Sequence, residues 1–101
     1  MLEKDFALQL EYLLDLYGWK WTHFRPAMRQ SGTWSTPLSG DKGFPDYIAV
    51  RVPRIIFAEI KSSTGRATRE QLSWLDDLGE SGAESYLWHP EDFPRIQETL
   101  R

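Results

Sequence analysis

The stretch from Gly43 to Lys61, GFPDYIAVRVPRIIFAEIK, constrains the fold of this chain more than any other. It consists of two apolar segments joined by a turn, which is the pattern of a β-hairpin. Asp46 opens the first segment, and Glu59 and Lys61 interrupt the end of the second. Because burial of an unpaired charge is costly, we expect these three residues to have partners or a chemical role.

Pro53 limits the turn of this hairpin, because proline cannot adopt the positive φ that a two-residue type I′ loop requires. We therefore predict a four-residue loop over Val52 to Ile55, built on a type I turn with Pro53 at its second position. In that register Arg51 lies opposite Ile56. A loop of three residues would reverse the face on which the first strand presents its side chains.

The predicted register places the three charged residues on one face. Side chains alternate across a strand, so Glu59 and Lys61 point the same way, and Asp46 lies opposite Lys61. The other face of the second strand is apolar and is predicted to be core, with the residues Ile56, Ala58 and Ile60.

The rest of the chain predicts an α/β fold. The order α, β, β, β, α, β, α indicates a mixed sheet flanked by helices, with an αβββαβ core and a closing C-terminal helix. The predicted elements are a helix over Leu2–Tyr17, a strand over Trp19–Phe24, an aperiodic loop over 25–43, the hairpin, a helix that follows an N-cap at Thr68, a strand over 83–90 and a helix over 91–100.

Local signals refine the helices. Stepping by four and three from Glu3 reaches Ala7 and Leu10, so Glu3 is predicted at the edge of the buried stripe of the first helix. Glu11 and Asp15 are predicted on the opposite side of that helix. Two further side chains are predicted to act at helix starts: Gln71 completes a capping box with Thr68, and Asp92 is a candidate cap of the closing helix.

Length and composition favour one soluble intracellular domain over 1–101. The chain has 101 residues, 41% of them hydrophobic, which is sufficient for one modest core. It has no cysteine, no segment of membrane-spanning length and no glycine-rich nucleotide loop, so we expect no disulfide, no membrane and no nucleotide cofactor.

The charge is unevenly distributed along the chain. Residues 20–69 contain nine lysines and arginines but three acids, a net charge of +6, whereas the whole chain carries −3. A basic middle region indicates local affinity for a polyanion such as DNA. The alternative is solvated surface charge with no ligand.

Two carboxylates and an ammonium on one strand face suggest metal chemistry. Adjacent carboxylates raise each other's pKa unless a cation lies between them, and Mg²⁺ or Mn²⁺ is a suitable hard ion. A lysine beside them can contact a phosphate or help to activate a water. The pattern thus predicts metal-dependent phosphodiester hydrolysis, and the alternative is a surface salt bridge across two strand ends.

At these residues the sequence resembles the PD-(D/E)xK nuclease superfamily, through Pro45-Asp46 and Glu59-Ile60-Lys61. It resembles more narrowly the VRR-NUC family of virus-type replication and repair nucleases, in its small stand-alone phage and prophage members. Three blocks carry this resemblance across nearly the whole chain: GFPDYIAVR, IIFAEIKS and GRATREQLSWLDDLGESGAESYLWHP, after an opening EKDF…GW…H.

The resemblance implies a restriction-endonuclease-like fold and a homodimer that cuts branched DNA, as Holliday-junction resolvases do. It implies the cytoplasm of a bacterial or phage-infected cell. It also implies specific roles in a Mg²⁺ or Mn²⁺ site: metal ligands at Glu3, Asp46, Glu59 and the Ile60 carbonyl, a catalytic lysine at Lys61, and a site contact at Gln71.

Further residues carry weaker predictions. His23 and His89 are interpreted as structural, and Trp34 as a residue that stacks on a base or a partner. The candidates for phosphate contacts are Arg25, Arg29, Lys42, Arg66 and Arg69. Two alternatives to a branch-specific nuclease remain, a DNA-binding or assembly module that does not cleave, and a nuclease without preference for branches.

Overall fold

A computed structural model describes residues 1–24 and 39–101, together with the backbones of Ala27–Met28 and Trp34–Ser35. The first helix, α1, spans Glu3–Leu16, within the predicted range. Its apolar stripe is buried as the spacing predicts, and Gly18, at φ +77°, ends the helical path in a conformation that favours glycine. The stripe residues are Phe6, Leu10, Leu13 and Leu14.

The main sheet has four strands in the order β1-β4-β5-β6. Strand β4 pairs antiparallel with β1 and β5, and β6 pairs parallel with β5, so the predicted meander with one crossover is confirmed. The strands are β1 at Lys20–His23, β4 at Tyr47–Arg51, β5 at Arg54–Ile60 and β6 at Glu84–Trp88.

Part of the predicted aperiodic loop is regular. Two short strands, β2 at Ala27–Met28 and β3 at Trp34–Ser35, pair antiparallel in a separate ribbon. The prediction of no regular structure over 25–43 was therefore wrong for these four residues, because segments of two residues are too short to show a period. The side chains of Arg25, Arg29 and Trp34 lie outside the described residues.

The hairpin turn differs from the prediction. Arg51 pairs with Arg54, so the loop has two residues rather than four, and Arg51 does not lie opposite Ile56. The peptide bond between Val52 and Pro53 is cis, which places a cis-proline at the third position of a type VI turn. The prediction was wrong because it weighed only turns that contain trans-proline.

The predicted loop of four residues and the observed loop of two both have an even number of residues. The side chains of β4 therefore point to the predicted faces of the sheet although the register is shifted. The β4–β5 pairing ends at Tyr47 and Ala58, and extending its register by one residue places Asp46 opposite Glu59 rather than Lys61. The core face of the hairpin is confirmed. Its side chains are at most 2% exposed, and full burial of an aliphatic side chain contributes about 1.5–3 kcal/mol. They are Tyr47, Ala49, Ile56, Ala58 and Ile60.

Helices cover both faces of the sheet. On the core face, α1 packs with the closing helix α3, Phe93–Leu100, which buries Ile96 and Leu100. The opposite face of β5 carries Phe57 and Glu59 and is contacted by the crossover helix α2, Arg69–Glu80. None of the helices in the described part of the chain is long and apolar enough to cross a bilayer.

Of the two predicted helix caps, the one at Thr68 is confirmed and the one at Asp92 is not. The hydroxyl of Thr68 accepts from the Gln71 amide and the Gln71 side chain accepts from the Thr68 amide, which confirms the capping box. Asp92 stands at the N-cap position of α3, but its Oδ2 accepts from His89 N at 2.9 Å and makes no cap bond to α3. A single 3₁₀ turn over Pro90–Asp92 separates β6 from α3, and the Asp92 carboxylate caps this turn instead of α3.

Candidate metal centre

Two carboxylates face each other at the open end of the hairpin. Asp46 immediately precedes β4, and its Oδ2 accepts a hydrogen bond from Ile60 N at 3.0 Å. The Asp46 carbonyl accepts from Phe24 N at 2.7 Å, which continues the pairing between β1 and β4. The backbone and side chain of Asp46 are therefore both held by the strands on either side.

Glu59 is the more deeply buried of the two acids, with 2% of its surface exposed. Its Oε2 accepts from Gln71 Nε2 at 3.0 Å and lies 3.2 Å from Lys61 Nζ. Its Oε1 is buried and has no hydrogen-bond donor among the described residues. A buried carboxylate oxygen without a donor is costly, so it requires either a proton shared with the neighbouring Asp46 side chain or a cation.

The protonation of Glu59 reflects this environment. Burial, followed by the neighbouring Asp46 charge, raises the pKa of Glu59 to about 8, and the Lys61 ammonium opposes that rise. At neutral pH and without a cation, Glu59 is therefore mainly protonated. A divalent ion between the two carboxylates would favour the ionised form and release the proton.

Glu3, in the N-terminal turn of α1, interacts electrostatically with Asp46 and Lys61. Desolvation and the Asp46 charge raise the pKa of Glu3, and Lys61 lowers it. The residue is exposed, whereas the sequence placed it at the edge of the buried stripe. Within residues 1–24 and 39–101, no group of three acids or histidines lies close enough together to hold an ion.

The donor set fits a hard divalent ion of the Mg²⁺ type. Such ions are commonly bound by one or two protein carboxylates, with water and phosphate oxygens as the remaining ligands. Asp46 and Glu59 supply two carboxylates, and the Oε1 atom of Glu59 is available for coordination. Ile60 lies between Glu59 and Lys61 in the chain. The geometry alone assigns no metal-ligand role to its carbonyl.

Gln71 connects the helix cap to the carboxylate pair. Its Oε1 accepts from Thr68 N at 2.9 Å, while its Nε2 donates to Glu59 at 3.0 Å. The two bonds together fix the orientation of the amide. One side chain thus positions the first turn of α2 and provides a neutral donor to the buried acid.

The three described residues among those predicted to contact phosphate lie in two grooves. Lys42 and Arg69 line an open groove of about 660 Å³ on α2, which also contains Asp41, Glu70 and Asp77. Arg66 lines a second groove of about 510 Å³, together with acidic side chains of the turn after β6. In both grooves the carboxylates offset the cations, and Arg25 and Arg29 lie outside the described residues.

A second polar cluster escaped the sequence prediction. Glu11 was predicted on the solvent side of α1 but is buried, and its Oε2 accepts from Tyr47 Oη at 2.6 Å and lies 3.0 Å from His23 Nδ1. The His23 and Tyr47 rings stack with centroids 4.1 Å apart. The available signal was the i, i+4 row from Glu3 through Ala7 to Glu11, which points one helix face at β1 and β4.

Comparisons of the chain with protein-family models, with curated proteins and with solved structures find no match. The interpretation of the site therefore depends on the residues and their geometry.

Proposed function

We propose that this protein is a metal-dependent DNA endonuclease that hydrolyses phosphodiester bonds. One observation carries the proposal: Asp46 and a buried Glu59 oppose each other across the hairpin, with Lys61 beside them. A surface salt bridge, the alternative reading of the motif, would leave these groups exposed. Glu59 is instead 2% exposed and its pKa is raised to about 8, which is typical of a functional carboxylate.

The proposed fold is of the restriction-endonuclease type. Its support is the order of elements: a helix, an antiparallel three-stranded meander, a crossover helix and a parallel fourth strand. The carboxylates lie where the second and third strands of the meander meet. The resemblance to VRR-NUC nucleases, seen in the sequence blocks, implies the same arrangement.

In the proposed enzyme Asp46 and Glu59 hold Mg²⁺ or Mn²⁺, and the resemblance adds Glu3 and the Ile60 carbonyl as further ligands. The bound ion would supply charge stabilisation at the phosphate and a more acidic water. Lys61 stabilises negative charge at the scissile phosphate with its ammonium. Gln71 keeps Glu59 oriented toward the ion through the Nε2 bond.

The proposed substrate is branched DNA, and the proposed active form is a homodimer, both implied by the resemblance. A dimer presents two sites, one to each of two strands of a four-way junction. The exposed side of α1 supports a second copy, because Leu8, Tyr12 and Leu16 are each more than half exposed and follow one another at intervals of four residues. Lys42, Arg66 and Arg69 are the described candidates for contacts with the DNA backbone.

The test is cleavage of labelled linear, nicked, flap and four-way-junction DNA with Mg²⁺, with Mn²⁺ and with a chelator. We expect cleavage of the junction that requires the metal. We expect Asp46→Asn and Lys61→Met to lower the rate by about 10³-fold or more, since each removes charge at the reacting phosphate. Glu98→Gln is the matched control, because Glu98 is exposed and pairs only with Arg101 among the described residues.

Each alternative has its own outcome in this experiment. Salt-sensitive binding to the junction without cleavage at any metal concentration would identify a DNA-binding or assembly module. Equal cleavage of all four substrates would identify a nuclease without branch preference. Full activity of Asp46→Asn would contradict the proposed site itself.

A further inference from the structure

Gly43, in the loop before the hairpin, lies close against the first turn of the crossover helix. A Cβ atom at this position would lie 2.7 Å from the carbonyl carbon of Glu70 and 2.9 Å from Gln71 N, distances that real Cβ atoms do not show. Both neighbours are backbone atoms of α2, so they cannot be relieved by a side-chain rotation. The φ of Gly43 is also +97°, a conformation that disfavours other residues.

Gly40 provides an internal comparison in the same loop. It has φ +103°, yet a Cβ added there would meet nothing within 4 Å. The two glycines therefore share the backbone requirement, but Gly43 alone of the pair has the contact with the helix. A difference between alanine variants at the two positions isolates the effect of that contact.

The loop around Gly43 is fastened to α2 on both sides. Trp74 Nε1 donates to the Lys42 carbonyl at 3.1 Å and approaches the Asp41 carbonyl at 3.3 Å. The Phe44 ring meets Trp74 edge-on, with centroids 5.1 Å apart. Because the residues before and after Gly43 are both held by Trp74, the loop cannot move away from the helix to admit a side chain without losing these interactions.

The contact between Gly43 and α2 is connected to the candidate metal centre in two ways, along the chain to Asp46 and through Gln71 to Glu59. Two residues separate Gly43 from Asp46, which faces Glu59 across the hairpin. Glu59 accepts from Gln71, and Gln71 belongs to the helix turn that touches Gly43. A displacement at Gly43 must therefore change the position of Asp46, of Gln71, or of both relative to Glu59.

We propose that Gly43 is a positioning residue of the metal centre, and that its close contact with the first turn of α2 sets the separation of Asp46, Glu59 and Gln71. This inference rests on the proposed nuclease function for its kinetic consequence. Misplacement of a catalytic group by about 1 Å costs about 100-fold in rate, because catalysis depends on the geometry of the reacting groups. Gly43 itself touches neither metal nor substrate.

The experiment compares the wild type with Gly43→Ala and Gly40→Ala. The two measurements are Mn²⁺ affinity by calorimetry without DNA, and kcat and KM for junction cleavage. We expect Gly43→Ala to bind Mn²⁺ at least about tenfold more weakly and to lower kcat about 100-fold at an unchanged KM. Gly40→Ala, which bears the same backbone strain, should match the wild type in both.

Several results would overturn the inference. They are wild-type Mn²⁺ affinity in a folded Gly43→Ala variant, an equal loss in Gly40→Ala, or a change confined to KM. If Gly43→Ala does not fold, Trp74→Phe replaces it, since it keeps an aromatic ring but removes the donor to Lys42. That variant must then shift Mn²⁺ affinity and kcat in the same direction by a smaller factor, or the inference is wrong.

The failure of the proposed function has a different signature. A wild-type protein that binds Mn²⁺ but cleaves no DNA contradicts the nuclease, while the comparison of Mn²⁺ affinities still decides the role of Gly43. A wild-type protein that binds no Mn²⁺ contradicts both.

Discussion

At the scale of single residues, the state of Glu59 depends on what surrounds it more than on its own chemistry. Ile60 and Ala58, its neighbours in β5, are buried on the core face, and Glu59 is almost as inaccessible on the other. Lys61 and Gln71 both reach the same oxygen, Oε2. Two donors thus approach one oxygen of this buried acid, and its other oxygen has no donor among the described residues.

This environment makes stability depend on pH in a defined direction. Because the pKa of Glu59 is raised to about 8 in the folded state, above 4.5 for the free side chain, the folded state binds more protons between these values. The contribution of Glu59 is fully present below pH 4.5 and is lost as the pH rises through about 8. The metal-free protein should therefore lose stability over this range, by at most about 1.4 kcal/mol per pH unit from this group.

Glu59→Gln tests that dependence, since the amide imitates the protonated acid at every pH. Urea denaturation in the presence of a chelator should show a wild-type free energy of unfolding that falls from pH 5 to pH 8, and a flatter profile for Glu59→Gln. Glu98→Gln, at a 67% exposed side chain, should keep the wild-type slope. Parallel profiles for the wild type and Glu59→Gln would contradict the raised pKa.

Sequence reasoning located the residues of the site but not their contacts. The common face of Asp46 and Glu59 followed from parity alone, and that prediction held although the turn and the predicted pairing of Asp46 with Lys61 were wrong. The cis bond before Pro53 was not predictable, because either isomer of a prolyl bond suits a turn and the surrounding strands select one. Burial of Glu11 was missed because a carboxylate on a helix is usually solvated, and its partners come from strands 12 and 36 residues away.

At the scale of elements, the start of α2 has two tasks. The capping box is a local pattern within four residues, so the sequence predicts it correctly. The bond from Gln71 to Glu59 joins positions 12 residues apart and depends on how α2 lies against β5. The capping box sets the first residue of α2. The bond from Gln71 to Glu59 then fixes where this helix end lies relative to the candidate metal centre.

Gln71→Glu separates these two tasks. The glutamate can still accept from Thr68 N, but it replaces the donor to Glu59 with a third carboxylate near Asp46. Since ionised carboxylates repel, the destabilisation relative to the wild type should grow from pH 5 to pH 8. Urea denaturation at both pH values, with the exposed substitution Gln9→Glu as control, measures the difference. A gap that does not change with pH would mean that the new carboxylate does not interact with the pair.

The ends of α1 and α3 meet at one guanidinium. Arg51 Nη1 donates to the carbonyls of Tyr17 and Leu100, each at 2.9 Å, and the group stacks 4.7 Å from the centre of the Trp19 ring. These carbonyls lie at helix C-termini, where positive charge is favoured and intrahelical donors are missing. Arg51 therefore binds both helices of the core face to the end of β4.

Arg51→Lys should lower the free energy of unfolding by about 1–3 kcal/mol, because an ammonium keeps the charge but loses the planar fork and the stacking. The substitution lies at the opposite end of β4 from Asp46, so the metal centre should be unaffected. Urea denaturation measures the loss, and Mn²⁺ affinity measures the site. Arg95→Lys, on the exposed side of α3, should change neither. Equal stability of the two variants would show that the Arg51 bonds are replaceable by water.

At the scale of the whole molecule, the order of elements was the most predictable feature. Each helix and each strand of the main sheet has its own period and its own stop signal, so the sequence α, β, β, β, α, β, α could be read locally. The order of elements follows from local patterns along the chain, whereas a surface combines residues from several distant segments. The described residues predicted to contact phosphate lie in two grooves, where acids from α2 and from the turn after β6 lie beside them.

The proposed homodimer requires a surface that the monomer leaves apolar. Leu8, Tyr12 and Leu16 are 64%, 66% and 57% exposed and form a stripe along α1 opposite its core residues. A two-fold interface places the same patch of both copies in contact. If two copies of α1 pack antiparallel about Tyr12, Leu8 of one copy lies against Leu16 of the other. The stripe is thus self-complementary in sequence position.

Tyr12→Arg tests this arrangement, because two guanidinium groups at the centre of a two-fold interface repel each other and cannot be solvated. Sedimentation equilibrium should give twice the 11.8 kDa chain mass for the wild type and the chain mass for Tyr12→Arg. Leu72→Arg is the matched control, since Leu72 is an apolar residue 44% exposed on α2 and should leave the dimer intact. A wild type that remains at 11.8 kDa at high concentration would contradict the dimer, and a dimeric Tyr12→Arg would contradict the α1 stripe as its interface.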